Sequence, residues 1–449
     1  MISQDIIRIG NGQGFWGDWL EAPVRLVEQG PLDYLILDYL AEVTMSVLQK
    51  QKQADPTRGY ASDFPPLMAR LAPKLKARNI KVVANAGGVN PRACAEAVRA
   101  LAPELKVAVV LGDDIYDRID DLLGRGHEMR DMDTGAPLSG IRKRIQSANA
   151  YIGAFPLAEA LATGADVVIA GRSTDTALAL APMVHCFGWK ETDYHLLAAG
   201  TIAGHIVECG AQCTGGNSQC DWQNIPDMAN IGYPIIEAAA DGTFVITKHE
   251  ATGGRVTADG VKEQLLYELG DPKRYLTPDC TADFTTIQLA QTGPNRVRVS
   301  GIQGSKRPPT LKLSISFSDG WKSTGTLVYS APDALAKAEA ADRIVRERLA
   351  GLGLHFEEIR TEFFGVNACN GPVAVPVANP PEVQLRIGVR DADRKAVDRF
   401  TRELIPLVLN GPPGATGFGE GRPPVREIVA YWSALLPREE ITTTVEVFE

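Results

Sequence analysis

The sequence has neither the basic and apolar N-terminus of a secretory signal nor an apolar run long enough to span a bilayer. Basic residues are outnumbered, since 46 Lys and Arg against 55 Asp and Glu give a formal net charge of −9. This balance argues against nucleic acid or an anionic membrane as the main partner, because both attract basic surfaces. Cysteine is scarce, with seven residues among 449. An odd number without an export signal predicts reduced thiols and a cytoplasmic protein.

Three common catalytic signatures are also missing from the sequence: the Walker A motif, the G-x-S-x-G elbow and H-E-x-x-H. What is present is an average globular composition, 45% hydrophobic and 22% charged. The length of 449 residues is enough for two or three domains. We therefore expect a large apolar core. None of the three signatures indicates a function, so other motifs must carry it.

Five short apolar runs in the first 170 residues each end in a glycine, asparagine or aspartate. They lie at residues 6–9, 34–37, 82–84, 107–111 and 167–170. Buried parallel strands have such continuous apolar sequences. Helix-like stretches separate them, at 20–29, 65–78, 91–101, 145–163 and 175–185. The alternation predicts an α/β fold with a doubly wound, mostly parallel sheet, which binds ligands at the carboxyl ends of its strands.

The pattern changes beyond residue 200. Residues 200–256 are rich in glycine, threonine and cysteine, and the chain becomes β-rich from residue 284. There we predict a hairpin of strands 310–317 and 325–329 and, further on, a helix at 391–409. The sequence thus predicts an α/β domain over 1–280, with the strand-end cleft and the glycine-rich segment, followed by a smaller α+β domain over 281–449.

The first strand runs into a glycine motif at residues 12–17, which fits G-x-G-x-x-G. Asp38 ends the next strand, where a ribose-binding acid would stand. Phe15, however, is bulky for a position beside a pyrophosphate. Two interpretations stay open: a dinucleotide site of an oxidoreductase, with Gly12 and Gly14 at the ligand, or a tight turn with an aromatic plug.

Polar side chains at other strand ends are candidates for binding or catalysis. Asp38 and Glu42 would share one face of a helix, where paired carboxylates hold Mg²⁺ or divide acid and base roles, although Asp38 also suits a helix N-cap. Asp113 is either a cap or faces the cleft. Arg172 could grip a carboxylate or phosphate beside the helix start at Asp175; the alternative is a cap with a structural salt bridge.

The densest polar segment is 204–217. His205 and Glu208 offer an acid and a base, and Cys209 is a nucleophile only if its thiolate is stabilised. The spacing of Cys209, Cys213, Cys220 and His205 matches no standard zinc pattern. Buried, inert cysteine is the commoner state.

Three Gly-Gly turns could present converging N–H groups to an anion, as nests do, or could be plain turns. Lys248 could add a charge for phosphate or carboxylate. The candidate binding residues from these turns and their neighbours are Asn85, Gly87, Gly88, Thr214, Gly215, Gly216, Thr252, Gly253 and Gly254.

These same segments resemble the acyclic terpene utilisation (AtuA) family. The strings that carry the resemblance lie at 12–18, 37–42, 85–91, 164–172, 204–210, 231–234, 252–254 and 263–272. The resemblance covers nearly the whole chain. It implies catabolism of terpenoids such as citronellol and geraniol through acyl-CoA thioesters, including a branched 3-hydroxyglutaryl-CoA that must be cleaved, but it carries over no established catalytic residues. Longer members continue into a C-terminal ferredoxin-like domain, so the resemblance implies that a small partner subunit supplies it, which would make the active form a hetero-oligomer. A homo-oligomer is the alternative expectation.

Our leading hypothesis is therefore a lyase that cleaves a 3-hydroxyacyl-CoA or removes water from a hydroxy-carboxylic acid. Asp38, Glu42, His205 and Glu208 are the candidate catalytic groups, and Arg172 and Lys248 would hold an anionic substrate. A divalent cation such as Mg²⁺ suits the oxygen-rich set, and a CoA moiety would be part of the substrate. The alternatives are a nucleotide-dependent oxidoreductase and a non-catalytic ligand-binding subunit.

Overall fold

The computed structural model describes residues 6–40, 42–219, 221–417 and 421–449. The strands are β1 (Ile6–Gln13), β2 (Tyr34–Leu37), β3 (Lys81–Ala84), β4 (Val107–Leu111), β5 (Ile145–Ala150), β6 (Val167–Ala170), β7 (Pro234–Ala239), β8 (Phe244–Lys248), β9 (Tyr275–Leu276), β10 (Thr281–Asp283), β11 (Gln288–Gly293), β12 (Arg296–Ser300), β13 (Gln303–Ser305), β14 (Thr310–Ser330), β15 (Glu358–Phe364), β16 (Glu382–Asp391), β17 (Arg426–Pro437) and β18 (Thr444–Phe448). The helices are α1 (Glu21–Gln29), α2 (Glu42–Ala54), α3 (Phe64–Arg78), α4 (Pro91–Leu101), α5 (Ile119–Gly124), α6 (Ala154–Ala162), α7 (Ala177–Phe187), α8 (Tyr194–Val207), α9 (Ala258–Leu266), α10 (Ala334–Gly351), α11 (Arg394–Phe400) and α12 (Leu407–Asn410).

A ten-stranded sheet organises most of the chain, in the order β11-β12-β8-β7-β1-β2-β3-β6-β4-β18. The five strands predicted from the apolar runs are its centre, and they pair in parallel. Both edges are antiparallel, because β7, β8, β12 and β11 extend one side and β18 the other. The sheet is therefore mixed rather than mostly parallel, since the chain beyond residue 200 continues it through antiparallel connections.

Side chains of the central strands alternate between two apolar cores. Val83 belongs to one cluster, whereas its neighbours Val82 and Ala84 belong to the other. Helices α6 to α8 cover the first face and α1 to α4 the second. Burial on both faces explains why these strands have continuous apolar sequences, and it leaves only the strand ends for polar chemistry.

The chain forms two compact units. Unit 1 consists of residues up to 316 and 431–449, and unit 2 of residues 317–430. In unit 2 the later part of β14 pairs antiparallel with β16, which pairs with β15, and α10 and α11 pack on them around Leu327, Val345 and Phe400. The predicted boundary at residue 280 stays a prediction.

Three local predictions were wrong. The hairpin expected at 310–329 is one continuous strand, β14, because each half finds its own partner strand rather than the other half. The helix expected at 145–163 begins only at α6, since β5 precedes it. The helix expected at 391–409 is broken into α11 and α12 around Pro406, which lacks the N–H that a continuous helix needs. Among the described residues, no helix is both long and apolar enough to cross a membrane.

Candidate functional site

A cavity of about 530 Å³ lies in unit 1 beyond the carboxyl ends of β1, β2 and β6. We call it the acidic cavity, because five carboxylic side chains line it. Its lining residues are Gly14, Phe15, Asp18, Asp38, Leu40, Arg172, Asp175, Glu208, Cys209, Ala211, Gln212, Gly216, Asn217, Tyr233, Tyr267 and Glu268. This is the edge at which open α/β sheets bind their ligands.

Asp38 is buried at the end of β2 and is held in one orientation. Its Oδ1 accepts hydrogen bonds from the N–H of Leu40 (3.1 Å) and from Nδ2 of Asn85 (2.7 Å). Burial, and next the charge of Asp175, raise the pKa of Asp38 well above its ordinary value, although Arg172 and the two hydrogen bonds oppose the rise. The carboxyl group therefore binds a proton more readily than a solvated aspartate does.

Asn85, at the end of β3, orients Asp38 from behind instead of lining the cavity. Its own Oδ1 accepts a hydrogen bond from the N–H of Tyr39 at 2.7 Å, so both the oxygen and the nitrogen of the side-chain amide are hydrogen-bonded. The side chain is fully buried. The residue predicted to bind substrate thus acts in the structure as a positioning residue.

Glu208 and the buried His205 form a pair at the end of α8. Nδ1 of His205 lies 3.1 Å from Oε1 of Glu208, and the imidazole packs edge-on against the rings of Tyr275 and Phe284, with centroids 5.3 Å apart in each case. Burial raises the pKa of Glu208 although His205 lowers it. Burial lowers the pKa of His205, but the hydrogen bond and charge of Glu208 outweigh it, so the imidazole pKa is raised.

The end of α8 is fixed by β1 and by the loop that follows it. Nδ2 of the buried Asn11 donates to the carbonyl oxygens of Val207 (2.5 Å) and Glu208 (3.0 Å), which satisfies two carbonyls that the helix leaves open. Gly14 comes so close that a Cβ there would lie 2.9 Å from the carbonyl carbon of Cys209 and 3.0 Å from the oxygen of Glu208. The glycine motif therefore brings Glu208 to the carboxyl end of β1.

The same loop carries an acid where a pyrophosphate would bind. The N–H of Gly14 donates to Oδ2 of Asp18 at 2.9 Å, and Oδ1 of Asp18 accepts the hydroxyl of Tyr233 at 2.6 Å. In Rossmann folds such glycine N–H groups face the phosphates. At Gly12 a Cβ would meet Pro23 at 2.8 Å, so this glycine serves packing against α1.

Arg172 lines the cavity, but its guanidinium is already engaged. Nη1 donates to the carbonyl of Leu40, Nη2 lies 2.9 Å from Oδ1 of Asp175, and the guanidinium carbon is 4.2 Å from the centroid of the Tyr151 ring. The side chain is 1% exposed. Of the two interpretations of Arg172, a grip on a ligand anion or a structural salt bridge, this arrangement fits the salt bridge. The guanidinium still gives the cavity a positive charge.

Asp113 stands behind Arg172 rather than in the cavity. Its Oδ2 accepts the backbone N–H of Arg172 (2.7 Å) and Nδ2 of Asn149 (2.9 Å). Burial raises the pKa of Asp113 to about 7. Its role in the structure is to hold the turn after β6.

The three Gly-Gly turns do not converge on the acidic cavity. Nζ of Lys248 donates to the carbonyl of Thr252 at 2.7 Å, outside the cavity lining. At Gly253 a Cβ would overlap the carbonyl oxygen of Asp227, so that turn is built for packing. Of all these residues only Gly216 lines the cavity; those that do not are Gly87, Gly88, Thr214, Gly215, Lys248, Thr252, Gly253 and Gly254.

Two predicted groups are outside the described part of the chain. Nothing is described of the Glu42 side chain, although α2 begins at this residue, and Cys220 is not described. In the described ranges, no group of three or more His, Cys, Asp or Glu side chains is arranged to hold a metal ion. Burial, followed by the charge of Glu208, raises the pKa of Cys209 to about 12, which argues against a thiolate nucleophile.

The sequence reasoning missed Asn11, Asp18, Tyr233, Tyr267 and Glu268. Asp18 directly follows the glycine motif and could have been included with it. Tyr267 and Glu268 lie just beyond α9 and enter the cavity lining only through the tertiary fold. No periodicity in the sequence distinguishes them from surface residues.

The family model of the acyclic terpene utilisation family protein AtuA matches residues 7–447, nearly the whole sequence. No curated protein matches it significantly. Among solved structures, an amidase (hydantoinase/carbamoylase family) from Burkholderia phymatum shows 15% identity over 25% of this chain and 31% of its own, with a TM-score of 0.18.

Proposed function

The chain belongs to the acyclic terpene utilisation (AtuA) family, and on this premise we propose that it is a lyase acting on a hydroxy-carboxylic acid or a 3-hydroxyacyl thioester. The observation that carries the proposal is that two carboxyl groups, the buried Asp38 and the largely enclosed Glu208, line one cavity with pKa values raised above their ordinary values. Enzymes raise carboxyl pKa values in this way to run acid and base steps near neutral pH.

Two reactions that use the same pair of carboxyl groups fit the cavity, a dehydration and a carbon–carbon cleavage. In a dehydration, the ionised carboxylate of the pair removes the proton α to the carbonyl, and the protonated partner donates to the β-hydroxyl, which leaves as water while the double bond forms. In a carbon–carbon cleavage, the base removes the hydroxyl proton, the bond between Cα and Cβ breaks to give a carbonyl product, and the acid protonates the enolate at Cα. Both reactions start with one carboxyl ionised and the other protonated.

The surroundings supply what such an intermediate needs. The guanidinium of Arg172 places positive charge at the cavity wall, where it would stabilise an enolate-like oxygen. His205 contacts Glu208 from inside the protein and can accept or return its proton. A volume of about 530 Å³ is in the range of small-molecule sites.

The decisive experiment is turnover by the purified full chain. A panel of 3-hydroxyacyl-CoA thioesters and free hydroxy acids, with and without Mg²⁺, is followed by mass spectrometry for loss of water or for chain cleavage. Exchange of the α-proton in D₂O is read in parallel, since it reports the base even when the overall equilibrium is unfavourable. A substrate that exchanges with wild type and not with Asp38→Asn or Glu208→Gln supports the proposal. Exchange that survives both substitutions rejects it.

A further inference from the structure

A second cavity in unit 1, of about 790 Å³, shares no lining residue with the acidic cavity. It lies beside the start of α6 and the end of α7, and residues 438–443 close one side. We call it the arginine cavity, because Arg307 and Arg438 both line it. The proposed lyase reaction uses none of its residues.

The two arginines bring positive charge together. Both guanidinium groups line the same cavity. Burial, and next the charge of Arg307, lower the pKa of Arg438, although the charges of Asp279, Glu191 and Glu439 oppose this. Nη2 and Nε of Arg438 donate to the backbone carbonyls of Pro278 (2.7 Å) and Pro308 (3.2 Å). These neutral acceptors orient the guanidinium without neutralising it, and no ion pair involves it within the described residues.

Each carboxyl group that lines this cavity is hydrogen-bonded, ion-paired or exposed to solvent. Both carboxyl oxygens of the buried Asp279 accept the N–H of Ala154, at 2.9 and 3.0 Å, and so cap the start of α6. Glu191 is paired with Arg307 at 2.8 Å and is half exposed. Glu159 and Glu439 are exposed, so water screens their charges. Among the described residues no carboxylate lies within ion-pair distance of the half-buried Arg438, although the charges of Asp279, Glu191 and Glu439 act on it.

An apolar wall completes the cavity. Phe155, Val184, Trp189 and Leu311 line it, and the indole N–H of Trp189 is already bonded to the carbonyl of Ala240. We propose that the arginine cavity binds a small organic carboxylate, whose carboxylate group accepts hydrogen bonds from Arg307 and Arg438 and whose hydrocarbon body packs on this wall. Arginine is suited to such recognition by its planar pair of donors.

The cavity is linked to the proposed catalytic site through one short segment. Ile152 lines the arginine cavity, and its N–H donates to the carbonyl of Arg172 at 3.3 Å. The ring of the adjacent Tyr151 lies 4.2 Å from the Arg172 guanidinium. A ligand in the arginine cavity would therefore contact the residue next to the one that packs on Arg172.

The test is calorimetric titration of the full chain with octanoate, and with octan-1-ol as the uncharged match. We expect octanoate to bind at one site and octan-1-ol to bind at least about tenfold more weakly, as for loss of a hydrogen bond to a charged group. Equal binding of the two compounds, or no binding of octanoate, overturns the proposal.

Substitutions locate the site. Arg307→Gln and Arg438→Lys should each weaken octanoate about tenfold, whereas Arg70→Gln, in an exposed pair with Glu21, should leave its affinity unchanged. Ala162→Phe keeps both arginines and fills the cavity from an exposed helix position, so it should abolish octanoate binding. This variant tests the site independently if Arg438→Lys fails to fold. Wild-type affinity in Arg307→Gln or in Ala162→Phe contradicts the site. Glu208→Gln should bind octanoate with wild-type affinity. If this variant loses octanoate binding, the ligand binds in the acidic cavity and the proposal is wrong.

Discussion

Nδ1 of His205 and Oε1 of Glu208 lie 3.1 Å apart at the end of α8, where the side chain of His205 is 1% exposed and that of Glu208 12%. They are three residues apart, so one turn of helix brings them onto the same face. The imidazole faces the protein interior, where it packs against two aromatic rings, while Glu208 reaches the acidic cavity. The pair connects a buried proton carrier to the proposed reaction site.

Glu208→Gln should abolish catalysis and leave the fold intact. The amide keeps the shape of the side chain but cannot transfer a proton, so the turnover number should fall about a hundred- to ten-thousandfold. The measurement is the rate of α-proton exchange and of product formation. The matched control is Glu96→Gln on the exposed face of α4, which should retain the wild-type rate. Unchanged turnover in Glu208→Gln would remove this residue from the mechanism.

The same pair should make stability depend on pH. Both pKa values are raised in the folded state, above ordinary values of 4.5 for Glu208 and 6.5 for His205, so the folded chain binds protons more tightly there than the unfolded chain does. Their contribution to stability is complete below these ordinary values and is lost as pH rises through the folded-state values.

In Glu208→Gln the imidazole loses the hydrogen bond and the charge of Glu208, so burial should bring the pKa of His205 below its wild-type value, although Gln264 and Glu268 still oppose burial. We therefore expect the stability advantage of wild type over Glu208→Gln to shrink as pH rises from 4.5 through 6.5 and beyond. Urea unfolding across this pH series measures it. A difference that grows with pH would contradict the assigned directions of both shifts.

Arg172→Met should destabilise the protein. The substitution removes the guanidinium contacts to the carbonyl of Leu40 and to the carboxylate of Asp175. Breaking a fully buried pair costs about 3–5 kcal/mol; since Asp175 is 37% exposed, we expect about 2–3 kcal/mol in the free energy of unfolding. Arg70→Met removes an exposed ion pair and should change little. Wild-type stability in Arg172→Met would mean that the guanidinium is held mainly for a ligand.

Gly14→Ala should disturb the junction between the loop after β1 and the end of α8. Its three nearest neighbours, at 2.9 to 3.1 Å from the added Cβ, are backbone atoms of Glu208, Cys209 and Gly210, which cannot rotate away. We expect a loss of about 1–3 kcal/mol, as for overpacking, together with lower turnover. Gly270→Ala, where nothing lies within 4 Å, should stay within about 0.5 kcal/mol of wild type. Equal stability of the two variants would show that the loop is not held tightly.

The sequence by itself determined the central sheet and several of the residues at its edge. Five apolar runs identified β1, β2, β3, β4 and β6, because strands buried on both faces admit few polar side chains. The strand-end rule then placed Asp38 and Arg172 at the cavity. The long strings shared with the family were sufficient for its recognition, which the match over residues 7–447 confirms.

Only the tertiary structure decided which polar residues meet. Glu208 and Gly216 reach the acidic cavity because α8 ends against the loop after β1, whereas Lys248 and Thr252 bond to each other at another place. Asn85 and Asp113 have the residue types of a binding site, but they are buried behind Asp38 and Arg172 and hold them in place. Local sequence sets the strand on which a side chain stands, while contacts between segments that are distant in the sequence set the direction in which it faces. For that reason the role of each polar residue could not be obtained before the fold.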